Sequence, residues 1–341
     1  MDQRTTQPGF SVINGRTIHR IIHGDIPGCV AQVEEAYRIH GRKQTVNPNS
    51  YFLLFPEKPS ARIIALPAFL GGGKDEVSGI KWISSYPENV AKGIPRASAV
   101  LILNNYETGY PYACLESSII SAARTAGSAL LAAEWLNGRQ RKTGTVGLVG
   151  TGLIARYMFQ FMQALGWKSD RILLHDLKPG EAQRFAREVV GEGHRVQLAD
   201  SAEQVLAGAD LSIFCTVAAA PYLSDPKLLS HNPIVLNVSL RDLAPELLLA
   251  SQNVVDDVEH VLRANTSAHL TEQRTGNRDF IQGTLADVLE GRLVVDRSRP
   301  VIFSPFGLGV LDLAVGRWVY AEAVRSGEAV RIDDFFYEMT R

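Results

Sequence analysis

TVGLVGTGLIARYMFQFM, residues 145–162, decides how this chain is read. An apolar run, Val146 to Val149, leads into Gly150-x-Gly152-x-x-Ala155. A helical pattern follows, with Ile154, Tyr157, Met158, Phe161 and Leu165 on one face. Strand, glycine turn and helix in that order give such a triplet its meaning. Gly150 permits the tight turn, Gly152 lets backbone approach a pyrophosphate, and Ala155 lets the helix lie close to its strand. The helix N-terminus offers unsatisfied N–H groups and a positive dipole end to phosphates.

A second strand, Arg171 to His175, ends at Asp176, close to the spacing at which an acid reaches an adenosine ribose. A carboxylate there accepts from both ribose hydroxyls and repels a 2′-phosphate, so the expected cofactor is NAD rather than NADP. The plainer reading is a glycine turn with a solvated acid at a strand end. The candidate cofactor-binding residues are Gly150, Thr151, Gly152, Leu153, Ile154, Asp176, Thr216 and Val217; the last two end the strand expected at Leu211 to Val217.

A chain of 341 residues can hold two domains with separate cores. Its 45% hydrophobic and 21% charged content is that of an ordinary globular protein. A net charge of −1 without a basic block argues against a nucleic-acid partner. Cys29, Cys114 and Cys215 are far apart and lack metal-ligand spacing, so reduced core thiols and no metal site are expected. MDQRTTQPGF at the N-terminus has no signal pattern and no apolar run reaches membrane-spanning length. A cytoplasmic enzyme without a membrane partner fits these facts.

The fingerprint begins only at Thr145, so the preceding residues form something else. A helix is expected near Asp25, with Pro27 in its first turn and Val30, Val33 and Tyr37 buried. Tyr51 to Phe55, Arg62 to Leu66, Ser78 to Ser84 and Ala99 to Leu103 read as strands, with Gly71 to Asp75 as a turn or mobile loop. Strands without intervening helices suggest an α+β domain. A connecting helix spans roughly Leu115 to Leu136, and alternating strand and helix signals follow, with strands at Ile234 to Ser239 and Val254 to Val258. Gly307 to Ser326 reads as a helix with no strand after it, able to return to the first domain. The fold class is therefore α/β: a Rossmann domain over 129–317 plus an α+β substrate and dimerisation domain over 1–128 and 318–341.

Arg124 lies in SIISAARTAGSALLAAEWL among small and apolar side chains. A guanidinium there needs a partner, either an internal carboxylate or a substrate carboxylate gripped bidentately. Lys81, in Gly79-Ile80-Lys81-Trp82, reads as a solvated strand residue when taken alone, as do Arg62 and Arg96. Asp242 follows the strand at Ile234, where the cofactor crevice of an open α/β sheet lies. It can face a nicotinamide or cap a helix before Pro245.

SGIKWISSYPENVAKGIPRASAVLILNN, ARTAGSALLAAEWL, VGLVGTGLIA and FSPFGLGVLDLA occur in that order. Together they resemble the ornithine cyclodeaminase/μ-crystallin family over almost the whole chain. ARIIALPAFLGG, SGIKW, PRASAVLILN and VVDD resemble its branch of SbnB-type enzymes of 2,3-diaminopropionate biosynthesis. The resemblance implies a Rossmann domain with an α+β dimerisation domain, and hence a homodimer. It implies that Asp242 and Lys81 are the catalytic residues, with Asp242 the acid/base group, that Lys81 and Arg124 bind a substrate carboxylate, and that Arg62 and Arg96 meet further anions. The implied substrate is the tricarboxylate amine N-(2-amino-2-carboxyethyl)-L-glutamate, oxidised with NAD in siderophore or related secondary metabolism. An ornithine cyclodeaminase, another amino-acid dehydrogenase, or a nucleotide-regulated binding protein of crystallin type are the alternatives. Two departures count against a cyclodeaminase. Pro48-Asn49-Ser50 stands where typical members carry an Arg shortly after a proline, and Val238-Ser239-Leu240-Arg241 replaces a glycine-rich stretch. Arg241 could pair with Asp242 or bind substrate.

Overall fold

The computed structural model describes residues 9–73 and 75–337. The stretch MDQRTTQP and Lys74 of the Gly71 to Asp75 turn lie outside the described residues; Gly72, Gly73 and Asp75 form a bend. The chain divides into two compact units. One comprises residues up to Arg124 together with those from Leu308 onward, and the other runs from Thr125 to Gly307. The sequence reading set these divisions at 128/129 and 317/318.

The first unit is built on a mixed sheet of β1 (Phe10–Ile13), β2 (Thr45–Val46), β3 (Tyr51–Leu54), β4 (Arg62–Leu70), β5 (Val77–Ser85), β6 (Ala97–Asn105), β7 (Pro111–Glu116) and a closing strand, Val330–Ile332. From one edge the order is Val330–Ile332, β1, β7, β6, β5, β4, β2, with β3 also on β4. The closing strand corrects the expectation that nothing extended follows the last helix. It is three residues long and exposed throughout, too short for the alternation of Val330-Arg331-Ile332 to announce it; pairing with β1 creates it. Pro67 sits in β4 between the stretches paired with β3 and β2, where a missing N–H costs no ladder bond on that edge.

Register fixes the two faces of this sheet. Arg62 opposes Ser85, Leu66 opposes Lys81, and Lys81 opposes Leu101. Strand side chains alternate, so Arg62, Lys81 and Ser85 share one face while Trp82 and Val100 share the other. The helix Gly309–Arg325 packs against β4, β5 and β6, beside the helix Ile26–Gly41. That helix starts where expected: the Asp25 side chain accepts from Gly28 N, and Val30, Val33 and Tyr37 are buried. The connecting helix runs Ser118–Leu136 rather than from Leu115, because β7 claims Leu115 and Glu116 for pairing with β6.

The second unit is a parallel sheet of β8 (Lys142–Val149), β9 (Lys168–His175), β10 (Val196–Leu198), β11 (Leu211–Phe214), β12 (Ile234–Asn237), β13 (Gln252–Val255), β14 (Ile281–Thr284) and β15 (Val301–Ser304). The order is β10-β9-β8-β11-β12-β15-β13-β14. The chain winds outward to β9 and β10 and then crosses back to β11, so the switch point lies between β8 and β11. Val149, Leu173, Val205, Phe214, Val235, Leu247 and Ile302 belong to the apolar core on one side of this sheet. The strands β11, β12 and β13 stop two or three residues short of the expected ends. The residues released are those that build the loops at the crevice. Among the described residues no helix is long and apolar enough to cross a membrane.

Candidate active site

At the switch point the glycine turn has the form a dinucleotide needs. Gly150 has φ +82°, and a Cβ there would meet the Cys215 carbonyl oxygen at 2.7 Å. Both facts restrict the position to glycine. Above Gly152, by contrast, a Cβ would find nothing within 4 Å, so the space a pyrophosphate would cross is open. Gly152 is also the N-cap of the helix Leu153–Ala164 and supplies no side-chain cap, leaving the first-turn N–H groups available. Ala155 is fully buried, Thr151 is buried, Ile154 is half-buried and Leu153 is exposed. Asp176 stands just beyond β9. Its carboxylate accepts from Thr151 N at 2.7 Å, Thr151 Oγ1 at 2.8 Å and Lys178 N at 2.9 Å. Burial pushes this acid up, but the three hydrogen bonds outweigh it and hold it below the usual carboxylate range. These residues fit NAD: an open cradle, free N–H donors and an ionised acid at the ribose position.

Asp242 is fully buried in the loop after β12. Thr216 Oγ1 donates to its Oδ1 at 2.5 Å and Tyr222 OH to the same oxygen at 2.9 Å. Ser239 Oγ donates to Oδ2. The capping alternative is excluded, since the helix Pro245–Leu249 is N-capped by Ala244 without a side-chain bond. Thr216, expected at the cofactor, is thus bonded to Asp242, and Val217 beside it is exposed. Burial, reinforced by Asp242, raises the neighbouring Cys215 thiol well above its ordinary range. The Arg241 guanidinium donates to the Ala264 carbonyl at 2.7 Å.

The first unit holds the cations. Lys81 corrects its solvated reading: its side chain is 2% exposed, and its Nζ donates to Asp312 Oδ2 at 2.7 Å. Ser121 Oγ lies 3.3 Å from the same nitrogen. Arg124 Nε donates to the other Asp312 oxygen at 3.3 Å, with the Arg124 side chain 12% exposed. Burial lowers the Lys81 ammonium to about 8; Asp312 opposes that shift and Arg124 adds to it. The two cations are therefore tied to one acid, and Arg124 spends only Nε on it.

Arg62 and Arg96 form a second group at the far end of the same strands. Arg96 Nη1 donates to Ser85 Oγ at 2.6 Å, and Ser85 opposes Arg62 across β4 and β5. Burial, with the nearby Arg62 charge, lowers the Arg96 guanidinium. Arg62 Nε is buried without a hydrogen-bond partner among the described residues. Neither arginine forms an ion pair there. Sequence reading missed Asp312, Ser85, Tyr222 and Ser239. Asp312 did leave a signal, a lone acid in the apolar run GVLDLAV.

The model of the ornithine cyclodeaminase/mu-crystallin family matches residues 21–327. The chain belongs to that family. It is 29% identical over 304 residues to N-((2S)-2-amino-2-carboxyethyl)-L-glutamate dehydrogenase of Staphylococcus aureus, covering 86% of this chain and 89% of that one. Among solved structures it is similar to Thermococcus litoralis Δ1-pyrroline-2-carboxylate reductase in complex with NADH and L-proline. There the TM-score is 0.85 at 23% identity, over 95% of this chain and all of the other. An archaeal alanine dehydrogenase dimer with bound NAD gives 0.84 at 21% identity, over 96% of this chain and all of that one.

Proposed function

We propose that the protein catalyses NAD-dependent oxidation of N-(2-amino-2-carboxyethyl)-L-glutamate and hydrolysis of the resulting imine. The products are 2-oxoglutarate and L-2,3-diaminopropionate, the latter a building block for siderophores or related metabolites. The coarser statement, an NAD-dependent oxidoreductase acting on an amino-acid CH–NH bond, rests on family membership and on the nucleotide cradle.

One observation carries the substrate. Arg62, Lys81, Arg96 and Arg124 lie in one unit, and only Asp312 among the described residues pairs with any of them. That leaves an excess of three positive charges, the number of carboxylates on this amine. Lys81 and Ser85 are four residues apart on β5, so the two cationic groups are separated by roughly 13 Å along the strand. Long side chains can close that span around a substrate with acids at both ends. Alanine or ornithine, with one carboxylate, would leave the second group unused.

When bound, NAD+ supplies the acceptor for the hydride leaving the glutamate α-carbon. Gly150, Gly152 and the N-terminus of Leu153–Ala164 would hold its pyrophosphate, and Asp176 its ribose. Lys81 and Arg124 fix the α-carboxylate, while Arg62 and Arg96 receive a distal one. Asp242 takes a proton from the substrate amine as the C=N bond forms. It then assists addition of water to the imine carbon and returns a proton to the departing amine as the C–N bond breaks.

The outer sheet face supports a homodimer: Tyr51, Leu53, Trp82 and Val100 share it and are all more than a third exposed. A second copy laid over that face would cover them, and light scattering of the purified protein is expected to give twice the chain mass.

The direct test is NADH formation from a panel of amines. Turnover is expected with the tricarboxylate and at least about tenfold less with ornithine, alanine or arginine. Arg96→Ala is expected to raise KM for the tricarboxylate and leave any activity on alanine unchanged. Preferred turnover of a monocarboxylate amine would replace this reading with that of a simple amino-acid dehydrogenase.

A further inference from the structure

We propose that Tyr222 is a positioning residue that saturates one oxygen of Asp242 and so selects the other for proton transfer. This rests on the reading of Asp242 as the acid/base group. A carboxylate offers about four lone-pair sites. Thr216 and Tyr222 occupy both on Oδ1, and Ser239 occupies one of the two on Oδ2. The single site left is on Oδ2, and a proton taken from substrate or water goes there.

The placement of the phenol is built into the backbone. Tyr222 N and Leu223 N both donate to the Asp242 carbonyl at 3.1 Å, and Ala244 N donates to the Leu223 carbonyl at 2.8 Å. Leu223 and Leu243 pair as an isolated parallel bridge and are both buried. The loop after β11 is thereby laced to the loop that carries Asp242, and the phenol and carboxylate move together. Tyr222 is 43% exposed whereas Asp242 is fully buried. The phenol is thus also the surface-facing member of the network.

The titratable groups facing this carboxylate are Tyr222 and Cys215, and Glu203 adds to the field on Tyr222. Burial, with Asp242 beside it, raises the Tyr222 hydroxyl far above its ordinary range, so the phenol stays a donor wherever the enzyme works. Hydrogen bonds to a carboxylate favour its charged form. Deleting one makes protonation easier and moves the titration to higher pH.

The test is Tyr222→Phe, which removes the hydroxyl and keeps the ring. Asp242 is titrated directly by carbon-13 NMR of protein labelled at aspartate Cγ, with Asp242→Asn identifying its signal. The midpoint is expected to rise by about one pH unit in the Phe variant. The acid limb of kcat for amine oxidation is expected to rise with it, kcat to fall by about tenfold, and KM and NAD affinity to stay within about twofold. An unchanged NMR midpoint overturns the role given to Tyr222. A midpoint that moves without a matching move of the acid limb overturns the reading of Asp242 on which it rests.

Discussion

Asp312 in the first unit and Asp242 in the second are both fully buried, yet their surroundings differ in kind. Asp312 is held by two cations, Lys81 and Arg124. Asp242 is held by three neutral hydroxyls, from Thr216, Tyr222 and Ser239. A carboxylate between an ammonium and a guanidinium balances both, and removing it would strand two buried cations. One held by hydroxyls has only neutral hydrogen-bond partners, so no buried cation depends on it for balance. The first arrangement is suited to holding fixed positive charge, the second to exchanging a proton.

The sharpest way to break this contrast is to neutralise both acids in turn. Asp242→Asn is expected to lower kcat by about 10²–10⁴-fold with NAD affinity unchanged and little loss of stability. Asp312→Asn is expected to act the other way round. It leaves Lys81 and Arg124 without their shared partner, so chemical denaturation is expected to report a loss of about 3–5 kcal/mol. If Asp242→Asn unfolded the protein while Asp312→Asn retained full stability, the two assignments would have to be exchanged.

Lys81 sharpens the same contrast through pH. Its folded-state value of about 8 lies below the ordinary lysine value of 10.5. On the role proposed for it the charged form binds the carboxylate, so kcat/KM is expected to fall as pH rises through about 8. Lys81→Arg, with a guanidinium that does not titrate, is expected to remove that alkaline limb. The stability effect has its own sign. Between about 8 and 10.5 the unfolded chain binds the proton and the folded one does not, so this residue makes the fold gain stability as pH rises there. The smallest expected effect is at the cofactor. Asp176→Ser is expected to narrow a preference for NAD over NADP of at least about tenfold, read by nucleotide titration.

The Rossmann unit was legible from Thr145 to Asp176 because strand, turn and helix each left a local signature. The cationic unit was legible only in part. In Gly79-Ile80-Lys81-Trp82-Ile83, alternation alone puts Ile80 and Trp82 inside and Lys81 outside. The sheet does the opposite, burying Lys81 and leaving Trp82 41% exposed. The reason is a partner distant in sequence, Asp312, which local patterning cannot reveal. Asp242 was found by its place after a strand, but two of its three hydroxyls come from the loop after β11, distant in sequence, and the third from a residue three positions upstream. The bond from Thr216 to Asp242 was not legible either: β11 ends at Phe214, and the turn beyond it carries the Thr216 hydroxyl to Asp242.

In the proposed reaction hydride leaves the glutamate α-carbon of the tricarboxylate amine and the imine is then hydrolysed. Substrate deuterated at that carbon, incubated with the purified protein and NAD+, tests it in one mass-spectrometric run. Singly deuterated NADH is expected, together with 2-oxoglutarate and L-2,3-diaminopropionate in equal amounts. Undeuterated NADH, or products that keep the deuterium, would contradict it.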